Sequence, residues 1–185
     1  GGEEELEASL KYMILGTLSS FLFLAGIALA YDQAGSLNLG AIGEHVRTFG
    51  GNAAMEFSMV MVMIGIGMPA AIFPLHTWLP DAHSRAPSAT SALLSGASVQ
   101  VAVFAMLRVF QQSVGLDSLR VMQILPWAGL ATALTGSLLA LVQTDIKRLL
   151  AYTTIASGGF SLLILSMESM AGFQSLFLHL INHAA

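Results

Sequence analysis

Long apolar stretches alternate with short polar segments along the whole chain. About 20 apolar residues in a helix cover the ~30 Å hydrocarbon core of a bilayer, so the longer stretches predict membrane-spanning helices. The predicted spans are 12–31, 55–73, 88–110, 124–142 and 149–167, and 172–185 begins a sixth. The polar stretch 32–54 is predicted to be a loop.

The spacing of the apolar residues also indicates the kind of spanning structure. No series of ten-residue segments alternates with period two, the pattern of a membrane β-barrel. Backbone groups in hydrocarbon must pair internally, which leaves α-helices. The sequence therefore predicts an all-α membrane protein, a polytopic helical bundle of about six transmembrane helices. We expect residues 1–185 to form a single transmembrane domain.

Two prolines interrupt the second apolar stretch. Pro69 and Pro74 lie five residues apart, and each removes a backbone donor and clashes with the preceding turn. We therefore expect a discontinuous helix with unpaired carbonyls at the break. Such a break is compatible with an ordinary helix end, or with a site beside a wet cavity, where non-helical backbone is tolerated at membrane depth.

Composition supports the membrane class and narrows the chemistry. Hydrophobic residues make up 55% of the chain and charged residues only 10%, against roughly 25% charged in soluble domains. Cysteine is absent, which excludes disulfides and cysteine-ligated metals. No basic patch for nucleic acid is present. The chain starts at Gly1 without a signal-peptide pattern and stops within an apolar run, so we expect an excerpt of a longer polypeptide.

Lysine and arginine near the helix ends indicate the orientation. With six passes, one side of the membrane carries Lys11, Arg85, Lys147 and Arg148, and the other carries Arg47, Arg108 and Arg120. Four basic residues against three favour a cytoplasmic position for the polar segment 74–87.

Three motifs lie at the polar ends of the apolar stretches. The first, FPLHTWLPDAHSRAPSATSALLSG at 73–96, contains Pro74, His76, Trp78, Pro80, Asp81 and His83. The second, QTDIKRLLAY at 143–152, contains Gln143, Asp145 and Lys147. The third is Asn-His-Ala at 182–184. In this order and spacing the chain resembles the antiporter-like subunits of respiratory complex I, and more closely those of Mrp-type cation/proton antiporters and membrane-bound hydrogenases.

This resemblance implies an architecture and a function. The chain would correspond to about helices six to eleven of a fourteen-helix subunit with two inverted five-helix repeats, each containing a discontinuous helix. Such a subunit moves H⁺, with Na⁺ as a possible exchanged ion, and its partners are the lipid bilayer and other membrane subunits. The implied location is a prokaryotic plasma membrane. No redox cofactor or metal is expected in this chain, since in these relatives the redox chemistry lies in other subunits.

Two positions depart from the family pattern. Family members usually carry a lysine five residues before the proline of the P-L-x-x-W-L-P-D-A segment, where this chain has Pro69. Many carry a second lysine in the next helix, where this chain has Gln100. A buried lysine can bind and release a proton because burial disfavours its charged form. Glutamine orients water but does not titrate.

Four residues remain as candidates for a proton path. His179 and His183 are four apart and share a helix face, and histidine titrates near pH ~6.5. Packing histidines are the alternative interpretation. Gln100 is a candidate for orienting water. Glu56 begins the second span, either as an entry group or as a carboxylate favoured by the helix amino end.

The polar motifs also have structural interpretations. Asp81 and Arg85 are expected to pair at the mouth of the broken helix, while His76 and His83 are expected at the membrane interface. Asp145 and Lys147 are expected to fix a tight turn. No catalytic motif is present, so the candidate functions are a proton-translocating subunit, a non-pumping structural paralogue, or a carrier of a small organic solute.

Overall fold

The computed structural model describes residues 2–112, 119–167 and 170–184, and these residues form helices joined by short turns without a β-strand. The α-helices are α1 (Gly2–Ala34), α2 (Leu39–Phe49), α3 (Ala53–Gly67), α4 (Trp78–Arg85), α5 (Ser88–Leu93), α6 (Val99–Gln112), α7 (Arg120–Leu141), α8 (Ile146–Leu165) and α9 (Met170–Ala184). A 3₁₀ turn, Leu75–Thr77, precedes α4, and a π-helical segment, Leu94–Ser98, joins α5 to α6.

The lengths of the helices confirm the predicted class. Within the described residues, four segments are long and apolar enough to cross a membrane: Glu5–Ala34, Ser88–Phe110, Arg120–Leu141 and Ile146–Leu165. Helix α3 is a shorter apolar helix, and α9 covers the predicted sixth stretch. The protein is a polytopic helical bundle.

Helix α2 corrects the predicted loop over 32–54. The side chain of Asn38 accepts a hydrogen bond from the backbone N–H of Ala41, which starts the helix, and Gly50, with φ of 78°, ends it. Ile42 and Val46 are four residues apart and both are buried, so one face of α2 packs on the bundle. Helix α1 also extends beyond the predicted 12–31.

The predicted break in the second span is confirmed, although it falls earlier than the apolar pattern indicates. Helix α3 ends at Gly67 rather than at Phe73, and α4 begins at Trp78. Ala71 in the break has a positive φ of 54°. The Trp78 indole N–H donates to the carbonyl of Met68 at 2.8 Å. The same carbonyl accepts from the backbone N–H of Ala71 at 2.9 Å, so the Trp78 side chain adds a second hydrogen bond that ties the start of α4 to the end of α3.

The third predicted span is also interrupted. The π-helical segment Leu94–Ser98 lies inside the apolar stretch 88–110, which was predicted to be one regular helix. Single π turns inside α-helices are frequent at functional sites. Gln100 follows this segment within the first turn of α6.

Close contact between helices α7 and α8 organises one side of the bundle. A Cβ atom added to Gly159 would lie less than 3.0 Å from backbone atoms of Ala133 and Gly129, and one added to Gly136 would meet the backbone of Ala156 equally closely. Small residues at helix interfaces permit such approach in membrane proteins. This close packing on α7 holds α8 in place, and the amino end of α8 contacts α4.

Candidate functional site

A cluster of charged side chains joins three helices at one end of the bundle. Asp81 of α4 accepts a hydrogen bond from the Lys11 ammonium of α1 at 3.0 Å. Its other carboxylate oxygen accepts from the Arg148 guanidinium of α8 at 3.1 Å. Arg85 lines the same cavity. The partners of Asp81 thus come from two other helices, α1 and α8, whereas the pair of Asp81 with Arg85 stays a prediction from the sequence.

Removing the carboxylate charge at this junction is expected to loosen α4 modestly. Asp81→Asn keeps the side-chain shape but loses the ion pairs to Lys11 and Arg148, all three being partly exposed. Because exposed pairs contribute little, we expect a Tm lower by roughly 2–4 °C, and a smaller difference in high salt. Thermal unfolding of the detergent-solubilised protein at two salt concentrations measures this.

A matched control is Glu44→Gln on α2. It removes the ion pair with Arg47, in which both side chains are about 60% exposed. We expect a Tm within about 1 °C of the unmodified protein. Equal losses in the two variants would contradict a specific role for Asp81 at the junction of the three helices.

The helix-link motif contacts the broken-helix motif. The Asp145 carboxylate caps α8 by accepting from the backbone N–H groups of Lys147 at 2.7 Å and Arg148 at 3.4 Å. The Lys147 ammonium donates to the carbonyl of Ala86, just beyond α4, at 2.8 Å. The Gln143 amide donates to the carbonyl of Leu139 at 3.0 Å. Two motifs far apart in sequence therefore form one junction.

The broken helix places two histidines in the interior. His76 is 6% exposed and His83 is 3% exposed, so both side chains are enclosed by protein; their predicted level at the membrane interface stays a prediction. Among the described residues, His76 Nδ1 and His83 Nε2 have no hydrogen-bond partner. Buried polar atoms are normally paired, so these two nitrogens indicate water or another group.

Other members of the first motif support this segment. Trp78 and Pro80 are buried, and the Trp78 ring lies 5.1 Å from that of Tyr12 on α1. Pro69 is half-buried in the turn after α3, whereas Pro74 is exposed. These residues shape the break and hold α4 against α1; neither proline offers a side-chain group that binds a proton.

Gln100 is the most isolated polar side chain of the bundle that the structure describes. It is 8% exposed, and neither its amide nitrogen nor its amide oxygen has a hydrogen-bond partner there. A buried amide left unpaired costs about 1–3 kcal/mol. Its position after the π-helical segment makes it a candidate site for ordered water.

His179 and His183 lie together on α9. Their rings are stacked with centroids 6.4 Å apart, as the spacing of four predicts. The Nε2 atom of His179 lies 2.9 Å from the Ser157 hydroxyl oxygen of α8. This hydrogen bond connects the pair to the centre of the bundle.

Glu56 lies apart from the charged cluster. It occupies the first turn of α3, at the opposite end of the α3–α4 unit from Asp81. The Arg120 guanidinium lies 4.0 Å from its carboxylate. The structure therefore does not bring Glu56 to the Asp81 junction.

Three buried hydroxyl groups beside these sites were not predicted. Ser91 donates to the carbonyl of His83 at 3.1 Å, and Thr132 accepts from the N–H of Phe73 in the break at 3.0 Å. Ser157 contacts His179. The sequence offers only a weak signal for them, because serine and threonine in spanning helices commonly bond their own backbone.

Comparisons with known proteins identify the family. The family model described as NADH:quinone oxidoreductase/Mrp antiporter, transmembrane, matches residues 2–185. NADH-quinone oxidoreductase subunit N of Geotalea uraniireducens is 37% identical over 98% of the chain and 39% of its own length. Subunit N of Desulforudis audaxviator is 31% identical over 100% of the chain and 37% of its own length. The chain thus spans between a third and two fifths of these curated relatives.

Solved structures agree in fold. A chain of the membrane-bound sulfane sulfur reductase, an archaeal respiratory membrane complex, has a TM-score of 0.88 and 30% identity, covering 98% of this chain and 37% of that one. A chain of respiratory complex I from Thermus thermophilus has a TM-score of 0.76 and 31% identity, with coverages of 98% and 39%.

The broken helix, the buried polar side chains and the apolar spans define an integral membrane protein of the antiporter-like class. The chain belongs to the NADH:quinone oxidoreductase/Mrp antiporter transmembrane family. The resemblance carried by the three sequence motifs is thereby confirmed.

Proposed function

We propose that this chain is the middle part, about helices six to eleven, of an antiporter-like subunit that translocates protons within a multi-subunit complex of a prokaryotic plasma membrane. The observation that carries the proposal is a group of buried polar atoms, on His76 and His83 of the broken helix and on Gln100 of α6, that have no hydrogen-bond partner in the part of the chain that the structure describes. A dry interior does not retain such atoms, whereas a hydrated path requires them. Family membership supports the same function.

The proposed path runs without lysine at the two positions where the family usually has one. Gln100 orients water, and histidine rings bind and release protons near neutral pH. His179, hydrogen-bonded to Ser157, and His183 provide a second pair of imidazole rings on α9. The transported ion is H⁺, and Na⁺ is the candidate exchanged ion.

A non-pumping structural paralogue is the second candidate function. The observation that favours it is Pro69, since a proline in the turn after α3 neither titrates nor donates a hydrogen bond. In this alternative the subunit occupies a place in the membrane arm of its complex, and its buried polar groups have no effect on ion flux.

His179→Gln separates the two functions. Glutamine retains hydrogen bonding toward Ser157 but does not titrate. If the chain conducts protons, we expect flux to fall roughly threefold, an increase of about 0.7 kcal/mol in the barrier, with little change in Tm. The measurement is proton uptake by liposomes that contain the full complex, driven by its own reaction.

The matched control is Gln174→Leu, an exposed position on the same helix, which should leave the flux unchanged. Unchanged flux in His179→Gln, with the complex fully assembled, would contradict the role of His179. If Gln100→Leu also left the flux unchanged, the structural paralogue would be the better account.

A further inference from the structure

The hydroxyl group of Ser157 on α8 differs from neighbouring hydroxyl groups in its hydrogen bond. Thr154, Ser161 and, on α7, Thr132 each donate to the backbone carbonyl four residues earlier, the usual bond of serine and threonine inside a helix. Within the described residues, Ser157 makes no such bond. Its Oγ lies 2.9 Å from Nε2 of His179 on α9. Ser157 is only 8% exposed, so its partner is the histidine ring.

The contact between Ser157 and His179 is compatible with two neutral forms of the ring. In the Nε2–H form, the ring could also donate to the Ser157 carbonyl oxygen, but that oxygen lies 3.3 Å from Nε2, beyond the usual limit of about 3.2 Å. The same carbonyl accepts from the Ser161 hydroxyl at 3.0 Å and, because α8 is a regular helix, from the Ser161 backbone N–H. A carbonyl oxygen has two lone pairs, and both are therefore in use.

The Nδ1–H form satisfies both partners. In this form the Ser157 hydroxyl donates to Nε2, and the ring proton is on Nδ1. In the opposite form the hydroxyl hydrogen would need an acceptor other than the ring, and in the described part of the chain Ser157 Oγ is hydrogen-bonded to none. The hydrogen bonds of the His179 ring there are all made at Nε2. The contacts therefore favour the Nδ1–H form.

We propose that Ser157 is a positioning residue, which keeps the neutral His179 ring in the Nδ1–H form and leaves Nε2 as the nitrogen that takes up a proton. The tautomer follows from the hydrogen bonds alone, whereas the role in transport rests on the proposed function. The proton then reaches the ring on the side that faces α8.

A serine hydroxyl fits both protonation states of the ring, because a hydroxyl both donates and accepts. While the His179 ring is neutral, the Ser157 O–H donates to Nε2. When water gives a proton to Nε2, the ring becomes an imidazolium, the hydroxyl turns, and Oγ accepts from the new N–H. Release of the same proton to water restores the first arrangement, and Nδ1 keeps its proton throughout. His179 thus changes its charge without losing its hydrogen bond to α8.

The tautomer is measured by NMR of the full-length subunit in its complex, with ¹⁵N-labelled histidine, in lipid bilayers at alkaline pH where the ring is neutral. The ring signals of His179 are those that disappear in His179→Gln. We expect the Nδ1–H form to exceed the Nε2–H form at least about fivefold, the equivalent of one net hydrogen bond. Ser157→Ala should remove this excess, and Ser157→Thr, which retains a hydroxyl, should preserve it.

Ser58→Ala is the matched control for the loss of a buried hydroxyl. Ser58 on α3 is buried, and it donates to the carbonyl of Gly26 on α1 at 2.8 Å, a bond that involves neither α8 nor α9. This variant should leave the His179 signals unchanged. An excess of the Nε2–H form in the unmodified complex, or the same ratio of forms after Ser157→Ala, would overturn the proposal.

Proton uptake by liposomes that contain the same complex tests the role in transport separately. We expect Ser157→Ala to lower the flux by up to about threefold, the loss expected for His179→Gln. Adding Ser157→Ala to His179→Gln should cause no further loss, since Ser157 acts through the ring. A further loss in the double variant would overturn this role. A changed tautomer with unchanged flux in Ser157→Ala would also overturn it, and unchanged flux in His179→Gln would instead contradict the proposed function of His179.

Discussion

Replacing Gly159 by alanine is expected to destabilise the bundle by about 3 kcal/mol, although alanine is the better helix former. The added Cβ would lie less than 3.0 Å from the backbone nitrogen and Cα of Ala133 and from the carbonyl oxygen of Gly129. Backbone atoms cannot rotate away as a side chain can, so α7 and α8 must separate. Because α8 carries Lys147 and Arg148 to the α4 junction, that separation also weakens the polar contacts of the broken helix.

Gly158 provides a control at the adjacent position. An added Cβ there would have the carbonyl oxygen of Ala70 as its nearest neighbour, at 3.5 Å, an ordinary contact. Gly158→Ala is therefore expected to be neutral or slightly stabilising, since alanine favours a helix by about 1 kcal/mol over glycine. Denaturant unfolding of both variants in detergent measures the difference. Equal stability of the two would contradict the close approach of α7 and α8.

The elements that the sequence predicts well depend on local covalent properties. The positions of the spans follow from the apolar runs, although α1 is longer and α3 shorter than its run. The break after Gly67 follows from Pro69, whose missing N–H and ring act on the preceding turn. The motif residues themselves were identifiable, as were the shared face of His179 and His183. These features need no knowledge of which helices pack together.

The features that the sequence does not predict depend on neighbours. The sequence of α2 is polar enough to predict a loop. The segment is a helix because Asn38 caps its amino end and because Ile42 and Val46 pack against the rest of the bundle, and the sequence does not show that packing. The π-helical segment Leu94–Ser98 follows from no single residue. Local propensity is overridden where tertiary contacts favour another conformation.

The contacts of the candidate site also depend on helices that are distant in the sequence. The partners of Asp81 lie on α1 and α8, about 70 residues away in each direction, a distance over which spacing rules say nothing. The burial of His76 and His83 likewise depends on α4 packing on α8. A polar residue between two apolar spans gives no sign in the sequence of whether its side chain is exposed or, as for His76 and His83, enclosed by protein.

Gln100→Leu is expected to have opposite effects on stability and on transport. The amide is buried without a protein partner in the described part of the chain, so a leucine of similar volume removes an uncompensated polar group. We expect stability to rise by about 1–2 kcal/mol. Proton flux is expected to fall about tenfold, corresponding to a barrier higher by about 1.4 kcal/mol, because leucine cannot hold water after the π-helical segment.

The changes in stability and in flux together show whether the Gln100 amide contributes to transport. Thermal unfolding and liposome flux are measured on the same preparation of the complex, with the exposed Gln174→Leu as the control for each. A stabilised complex with unchanged flux would mean that Gln100 costs stability without contributing to transport, as in a structural paralogue. A destabilised complex would mean that the amide has a bonded partner within the assembled subunit. A gain in stability together with a loss of flux would assign Gln100 to the hydrated path. A residue that lowers the stability of the protein is retained where its function requires it.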